Sequence, residues 1–230
     1  MRIRALTATA LLSLFALAAC QGQPDDPPTD PVPSESSPSP AATPTELPLD
    51  DAVAIGERHM LPPGSGPLQG YEVVYEPMLG EKANAPFYKC RYDEETDSAR
   101  VGTVVQAFRE KTQVRQMAHV YRGDPAKALE DVKALWEECG SYEFEDTATG
   151  ETLTMERISA LDPPEGLTAE EWIGDCAELK PNGLMYCRAL FAAEDHVVNE
   201  VVVSGQVEDR AEVESQLFEI VPLIPGGTAD

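Results

Sequence analysis

From residue 101 onward, apolar and polar positions alternate in short runs, change to a helical period, and then return to short runs. Val101–Phe108 and Val114–Tyr121 are rich in β-branched and aromatic residues, and the polar stretch Arg109–Gln113 between them predicts a hairpin, though without an Asn-Gly turn. The period then becomes helical, with Ala128, Leu129, Val132, Leu135, Trp136 and Cys139 on one face. Asp124 can cap this helix and Pro125 suits its first position. Gly140 is expected to end it through a positive φ, giving a helix over 125–139. Beyond it, Tyr142–Glu145 and Leu153–Ile158 flank Thr149-Gly150, and Glu171–Leu179 and Leu184–Ala192 flank Pro181-Asn182-Gly183. Both pairs read as hairpins. His196–Ser204 is the most strand-like run, crowded with valines, and Glu208–Val221 reads as a closing helix. The expected architecture is α+β: an antiparallel sheet built from hairpins, with two main helices packed on one face.

The first seventy residues follow different rules. Arg2 and Arg4 precede an uncharged run, Ala5–Ala19, of 15 residues. A membrane-spanning helix needs roughly 20 apolar residues, so this run suits an export signal over residues 1–19. Leu17-Ala18-Ala19-Cys20 resembles the bacterial lipobox, in which the cysteine takes a diacylglycerol and becomes the new N-terminus. Two or more acyl chains, palmitate among them, anchor stably where one does not. Residues 20–49 hold the lipidated cysteine and a linker with nine prolines and almost no large apolar side chain. Such a segment cannot bury enough surface to offset its ordering entropy. A single domain is expected over 50–230, with residues 50–70 transitional and His59 ahead of the folded part. The expected location is the outer side of a cell membrane, reached through the lipid.

Export places the other four cysteines, Cys90, Cys139, Cys176 and Cys187, in an oxidising space, where two disulfides are the default. Four cysteines allow three pairings. Cys176 and Cys187 lie almost symmetrically about the 181–183 turn, which favours a cross-strand bridge and leaves Cys90 for Cys139. The formal net charge of −24 becomes −26 without Arg2 and Arg4, with 15 basic against 41 acidic residues. Nucleic acid is therefore not an expected partner. Catalytic patterns are missing. No Gly-x-Ser-x-Gly elbow, phosphate-binding glycine loop, His-x-x-x-His pair or Cys-x-x-Cys pair occurs, so neither an enzyme nor a metal or cofactor site is expected. The acidic run at 93–97 lacks the spacing of a calcium loop and reads as a solvated turn. Of the three histidines, His59 lies ahead of the folded part, and His119 and His196 fall on predicted strands and read as structural or half-exposed.

The run from Val114 to Gly140, a strand followed by Asp124-Pro125 and a helix ending Trp136-Glu137-Glu138-Cys139-Gly140, resembles the extracellular sensor domain of PknH-type serine/threonine kinases. It also resembles stand-alone actinobacterial lipoproteins built on that domain. The resemblance extends to the strand Val197–Val203 and the helix Glu208–Val221. It implies a ligand-binding or sensor module with a cleft between sheet and helices, and transfers no catalytic residue. Trp136, Trp172 and His119 are candidates for lining such a cleft, with core packing the competing role for the tryptophans. The expected partners are the membrane, through the lipid, and an unidentified small molecule or envelope protein. The alternative is a non-catalytic accessory protein that binds another envelope protein.

Intact-mass analysis of the protein from its native membrane is expected to show residues 1–19 removed and acyl mass on Cys20. A chain beginning at an unmodified Met1 would exclude the anchor.

Overall fold

The computed structural model describes residues 47–80, 90 and 98–227. The export signal, Cys20, the linker up to residue 46 and the acidic run at 93–97 lie outside the described residues. Among the described residues, no helix is long and apolar enough to cross a membrane.

The chain begins with α1 (Leu49–Arg58), passes a short 3-10 turn at Gly66–Leu68, and enters β1 (Glu72–Leu79). A hairpin follows, β2 (Arg100–Arg109) and β3 (Gln113–Tyr121), then α2 (Pro125–Glu138). The second half contains β4 (Ser141–Glu145), β5 (Thr152–Ala160), β6 (Trp172–Lys180), β7 (Leu184–Ala193), β8 (Val197–Gln206) and α3 (Arg210–Ile220). All eight strands form one antiparallel sheet in the order β1-β2-β3-β8-β7-β6-β5-β4. Two meanders, β1–β3 and β4–β8, thus meet where β8 pairs with β3.

The expected hairpins and both expected helices are present. Two elements were not expected, α1 and β1, both within or just beyond the stretch read as transitional. Helix α1 lies on β2 and β3 through small residues: Ala52 is buried, and a Cβ on Gly56 would stand 2.6 Å from Val104 Cγ2. Besides alanine and glycine only Val53 and Ile55 of the helix pack on this core, too short an apolar pattern for a periodicity to reveal. Strand β1 is an edge strand with glutamates at 72 and 76, Pro77, and two register shifts against β2. Proline is tolerated at such an edge, but its presence obscures the strand pattern.

Each face of the sheet has its own core. One face carries Val104, Phe108, Val114, Val201, Val203, Met185 and Phe191, covered by α1, the segment after it, α3 and the tail to Ile224. The other carries Ile173, Leu190 and Val198 beneath Ala128, Leu129 and Val132 of α2. The α+β architecture is as expected, but the helices divide: α3 packs on one face and α2 on the other. Connectivity explains the division. Helix α2 must carry the chain from mid-sheet β3 to edge strand β4, five strand spacings or roughly 24 Å away. Its 14 residues span about 21 Å across a face left free by α3. Asp124 caps it as expected, accepting from the Ala126 N–H at 2.9 Å. Gly140 does not take a positive φ. The helix ends on Cys139, and Gly140 enters the next strand by accepting from the Arg157 N–H at 3.0 Å.

Both disulfides have the expected pairing. Cys90–Cys139 spans 49 residues and ties the β1–β2 connection to the end of α2, and Cys176–Cys187 joins directly opposed residues of β6 and β7.

His59, expected ahead of the domain, is a core residue with 3% exposure. Asn199 of β8 donates from its amide to His59 Nδ1 at 3.3 Å and to the Pro225 carbonyl at 3.0 Å. Gln116 donates to the His59 carbonyl at 2.6 Å and accepts from the Leu61 N–H at 3.0 Å. The incoming chain and the tail are thereby fastened to the same central strands. Burial lowers the His59 pKa, and Arg58 adds to this against the opposing pull of Asp195 and Glu194. Its folded value therefore lies below its unfolded one, and the unfolded chain takes up a proton first as pH falls. Stability is full above pH about 6.5 and declines below it until the folded value is reached. His59→Gln is expected to flatten the decline measured by urea unfolding between pH 7.5 and 5. An unchanged slope would remove His59 as its source.

Candidate functional site

The face under α2 carries a buried polar cluster that no sequence motif announced. Strand alternation places His119, Thr103, Glu200, Arg188, Asp175 and Arg157 on this face, each from a different strand. His119 Nε2 donates to Glu200 at 2.9 Å, and its Nδ1 lies 3.0 Å from Thr103 Oγ1. Arg100 donates to the same hydroxyl. Arg188 reaches Asp175 at 3.2 Å from two of its nitrogens, and Arg157 approaches the same carboxylate at 3.6 Å. Arg157 also lies over Trp136, with its guanidinium carbon 3.9 Å from the ring centroid, and donates to the Trp136 carbonyl. Tyr142 and Tyr186 complete the surroundings.

Electrostatics explains how these charges persist in the interior. For Glu200, burial works against ionisation, but the His119 hydrogen bond and the charges of His119, Arg188 and Arg115 outweigh it and lower the pKa. Burial also opposes the charge on Arg188, yet Asp175 and Glu200 raise its pKa. The hydroxyls of Tyr142 and Tyr186 are shifted upward by burial. The Thr103–His119–Glu200 order is that of a nucleophilic triad. Thr103 is nonetheless 1% exposed in mid-strand and receives the Arg100 N–H, so its oxygen is neither approachable nor poised for attack.

The three cleft candidates do not converge. His119 and Trp136 face the α2 side, His119 inside the ion cluster and Trp136 at its rim. Trp172 points to the opposite face, stacked at 6.4 Å against both Phe191 and Phe218, with its Nε1 donating to the Leu161 carbonyl at 2.9 Å. Its ring lies so close above Gly174 that a Cβ there would stand 2.5 Å from Nε1. His196 occupies the β7–β8 turn, where it and Asp195 both take positive φ. Asp195 is tied to Arg58 at 3.0 Å and His196 Nδ1 to the Gly123 carbonyl.

A groove of about 690 Å³ opens at the end of the sheet beyond that turn. Pro125 and Ala126 at the start of α2 form one wall, and Leu167 and Glu171 of the β5–β6 loop continue it. The floor is the end of β7 with Glu194, and the far wall is the tail from Pro222 to Gly226. None of these residues was singled out for a cleft, because the groove is assembled from segments far apart in sequence. Cys176, Cys187 and Glu214 also lie close enough to share a metal ion, but the two sulfurs are bonded to each other and offer no thiolate.

No family model matches the chain, and no curated protein matches it. Among solved structures, the extracellular domain of PknH from Mycobacterium tuberculosis superposes with a TM-score of 0.46 at 12% identity, covering 64% of this chain and 82% of that one. The likeness is in fold, at low similarity, and no residue role is taken from it.

Asp175 holds two arginines in place. Asp175→Asn is expected to cost about 3 kcal/mol in urea unfolding, because it leaves buried guanidinium charge uncompensated. Combining it with Arg188→Met should recover part of that loss. Strictly additive losses would show that the pair does not interact.

Proposed function

We propose that this chain is a lipid-anchored, extracytoplasmic binding or sensor module whose ligand seat is the groove between α2, the β5–β6 loop and the C-terminal tail. The groove carries the reading. Its volume lies within the range of small-molecule sites, it adjoins the N-terminal end of α2, and it sets aliphatic side chains among polar groups. The two disulfides suit an oxidising compartment, and the lipobox-like Leu17–Cys20 supports anchoring there. The ion cluster beneath α2 serves this reading as the rigid support of the face from which the helix starts.

A second reading rests on a separate observation. Leu49 and Leu79 are exposed beside the β1 edge and come within 3.4 Å of a Cβ position on Gly102, while Met78 is exposed on the other face of the strand. An apolar patch of this kind suits an accessory protein that binds another envelope protein.

Thermal-shift screening of the disulfide-intact protein against envelope lipids, glycans and organic ions separates the two. A groove ligand at a hundredfold its Kd should stabilise by about 2.7 kcal/mol, a shift of roughly 5–10 °C for a domain of this size. Ala193→Trp, which fills the groove floor, should abolish the shift. Absence of any shift, together with a co-purifying protein lost on Leu79→Glu, would favour the accessory reading.

A further inference from the structure

The groove has a one-sided hydrogen-bonding chemistry. Of its 13 lining residues, the only ones with polar side chains are Glu171 and Glu194, and both are acceptors at neutral pH. Pro125, Pro222 and Pro225 have no N–H to offer. Four further main-chain donors of the lining are used within the protein. The Ala126 N–H goes to Asp124, Leu167 to Pro164, Glu171 to Thr168 and Ile224 to Val221. The other lining side chains are apolar. A bound carboxylate or phosphate would find no cationic or hydrogen-bond-donating side chain on these walls, whereas a group rich in N–H would find carboxylates.

From this we infer that the groove takes a small organic cation, a protonated amine or guanidinium carried on an apolar body. The inference rests on the reading of the groove as the ligand seat and adds the class of ligand. Two local features act against a cation, and both are offset. The start of α2 presents its positive dipole end, but the Asp124 carboxylate sits on that end. Lys133 lies near Glu171, yet its ammonium is held by the carbonyls of Ala169 and Glu170. Glu171 accepts from the Thr168 N–H at 3.1 Å and from its hydroxyl at 2.8 Å through one oxygen, and these bonds lower its pKa. Glu194, beside the end of β7, is exposed. The long-range field of a strongly acidic molecule adds to the attraction.

Three probes with nearly the same apolar body separate charge from shape: 4-phenylbutylamine, 4-phenyl-1-butanol and 5-phenylpentanoate. Each is titrated into the purified, disulfide-intact protein and followed by amide resonances of Ala126, Ala193 and Leu223. The amine is expected to bind about threefold to tenfold more tightly than the alcohol, as two exposed carboxylates allow, and to weaken with added salt. The acid should bind least. Glu171→Gln and Glu194→Gln should each weaken the amine about twofold to fivefold and leave the alcohol unchanged. A short peptide carrying the same ammonium on a lysine, tested alongside, shows whether a free amine or a protein side chain is the better source of the cation. Binding of the acid as tight as that of the amine, or amine affinity untouched by either variant, overturns the inference while leaving the groove as a ligand seat. No response to any probe overturns both.

Discussion

The pairing of β8 with β3 holds this fold together. Eight residue pairs, from Gln113 with Ser204 to Val120 with Val197, close the only hydrogen-bonded seam between the two meanders among the described residues. Strand β8 is buried from Val197 to Val203, so valines on both of its faces serve as the centre of separate cores. Side-chain alternation makes that register unforgiving. A slip of one residue would turn Glu200 into the core under α3 and expose Val201 to the charges under α2. Asn199 strengthens the seam on one face by joining the His59 segment to the tail, and Glu200 strengthens it on the other through His119.

The two faces have different energetics. Under α3 the core is apolar and aromatic, with Trp172 between Phe191 and Phe218. Under α2, part of the core is replaced by carboxylates, guanidiniums and an imidazole that neutralise one another. Such a cluster adds less stability than an apolar core of equal volume would, since each charge loses its hydration. What it adds is direction. Asp175 can hold both Arg188 and Arg157 only when β5, β6 and β7 are in register, and Arg157 in turn holds the last turn of α2 through Trp136. The helix that borders the groove is therefore positioned by electrostatics at its C-terminal end and by the Asp124 cap at its start.

The groove depends on where chain segments end rather than on any one element. The three-residue β7–β8 turn, Glu194–His196, reverses the chain through positive φ at Asp195 and His196, without the usual Asn-Gly pair. The tail then crosses that hairpin closely enough that a Cβ on Gly226 would meet Ala193 at 2.8 Å. Residues 222–226 thus become a wall, and prolines within that wall remove hydrogen-bond donors from it.

Local chemistry determined much of this molecule. Valine-rich runs favour strands, the spacing of Ala128, Leu129 and Val132 suits a helix with one buried side, and Cys176 and Cys187, almost symmetric about a Pro-Asn-Gly turn, are set to face each other. Those properties are carried by near neighbours in the chain, so periodicity records them. Helix α1, strand β1, the burial of His59 and the separation of α2 from α3 were not recorded there. They arise from close contact through Ala52 and Gly56, from an edge position, and from the distance a connection must cross. The ion cluster and the groove lay further still from the pattern. Asp175, Arg188, Glu200 and His119 look like ordinary polar positions on four strands, and Glu171 and Glu194 like two acids among many. Only the order of strands in the sheet brings such residues together, because that order is set by the long-range pairing of β3 with β8.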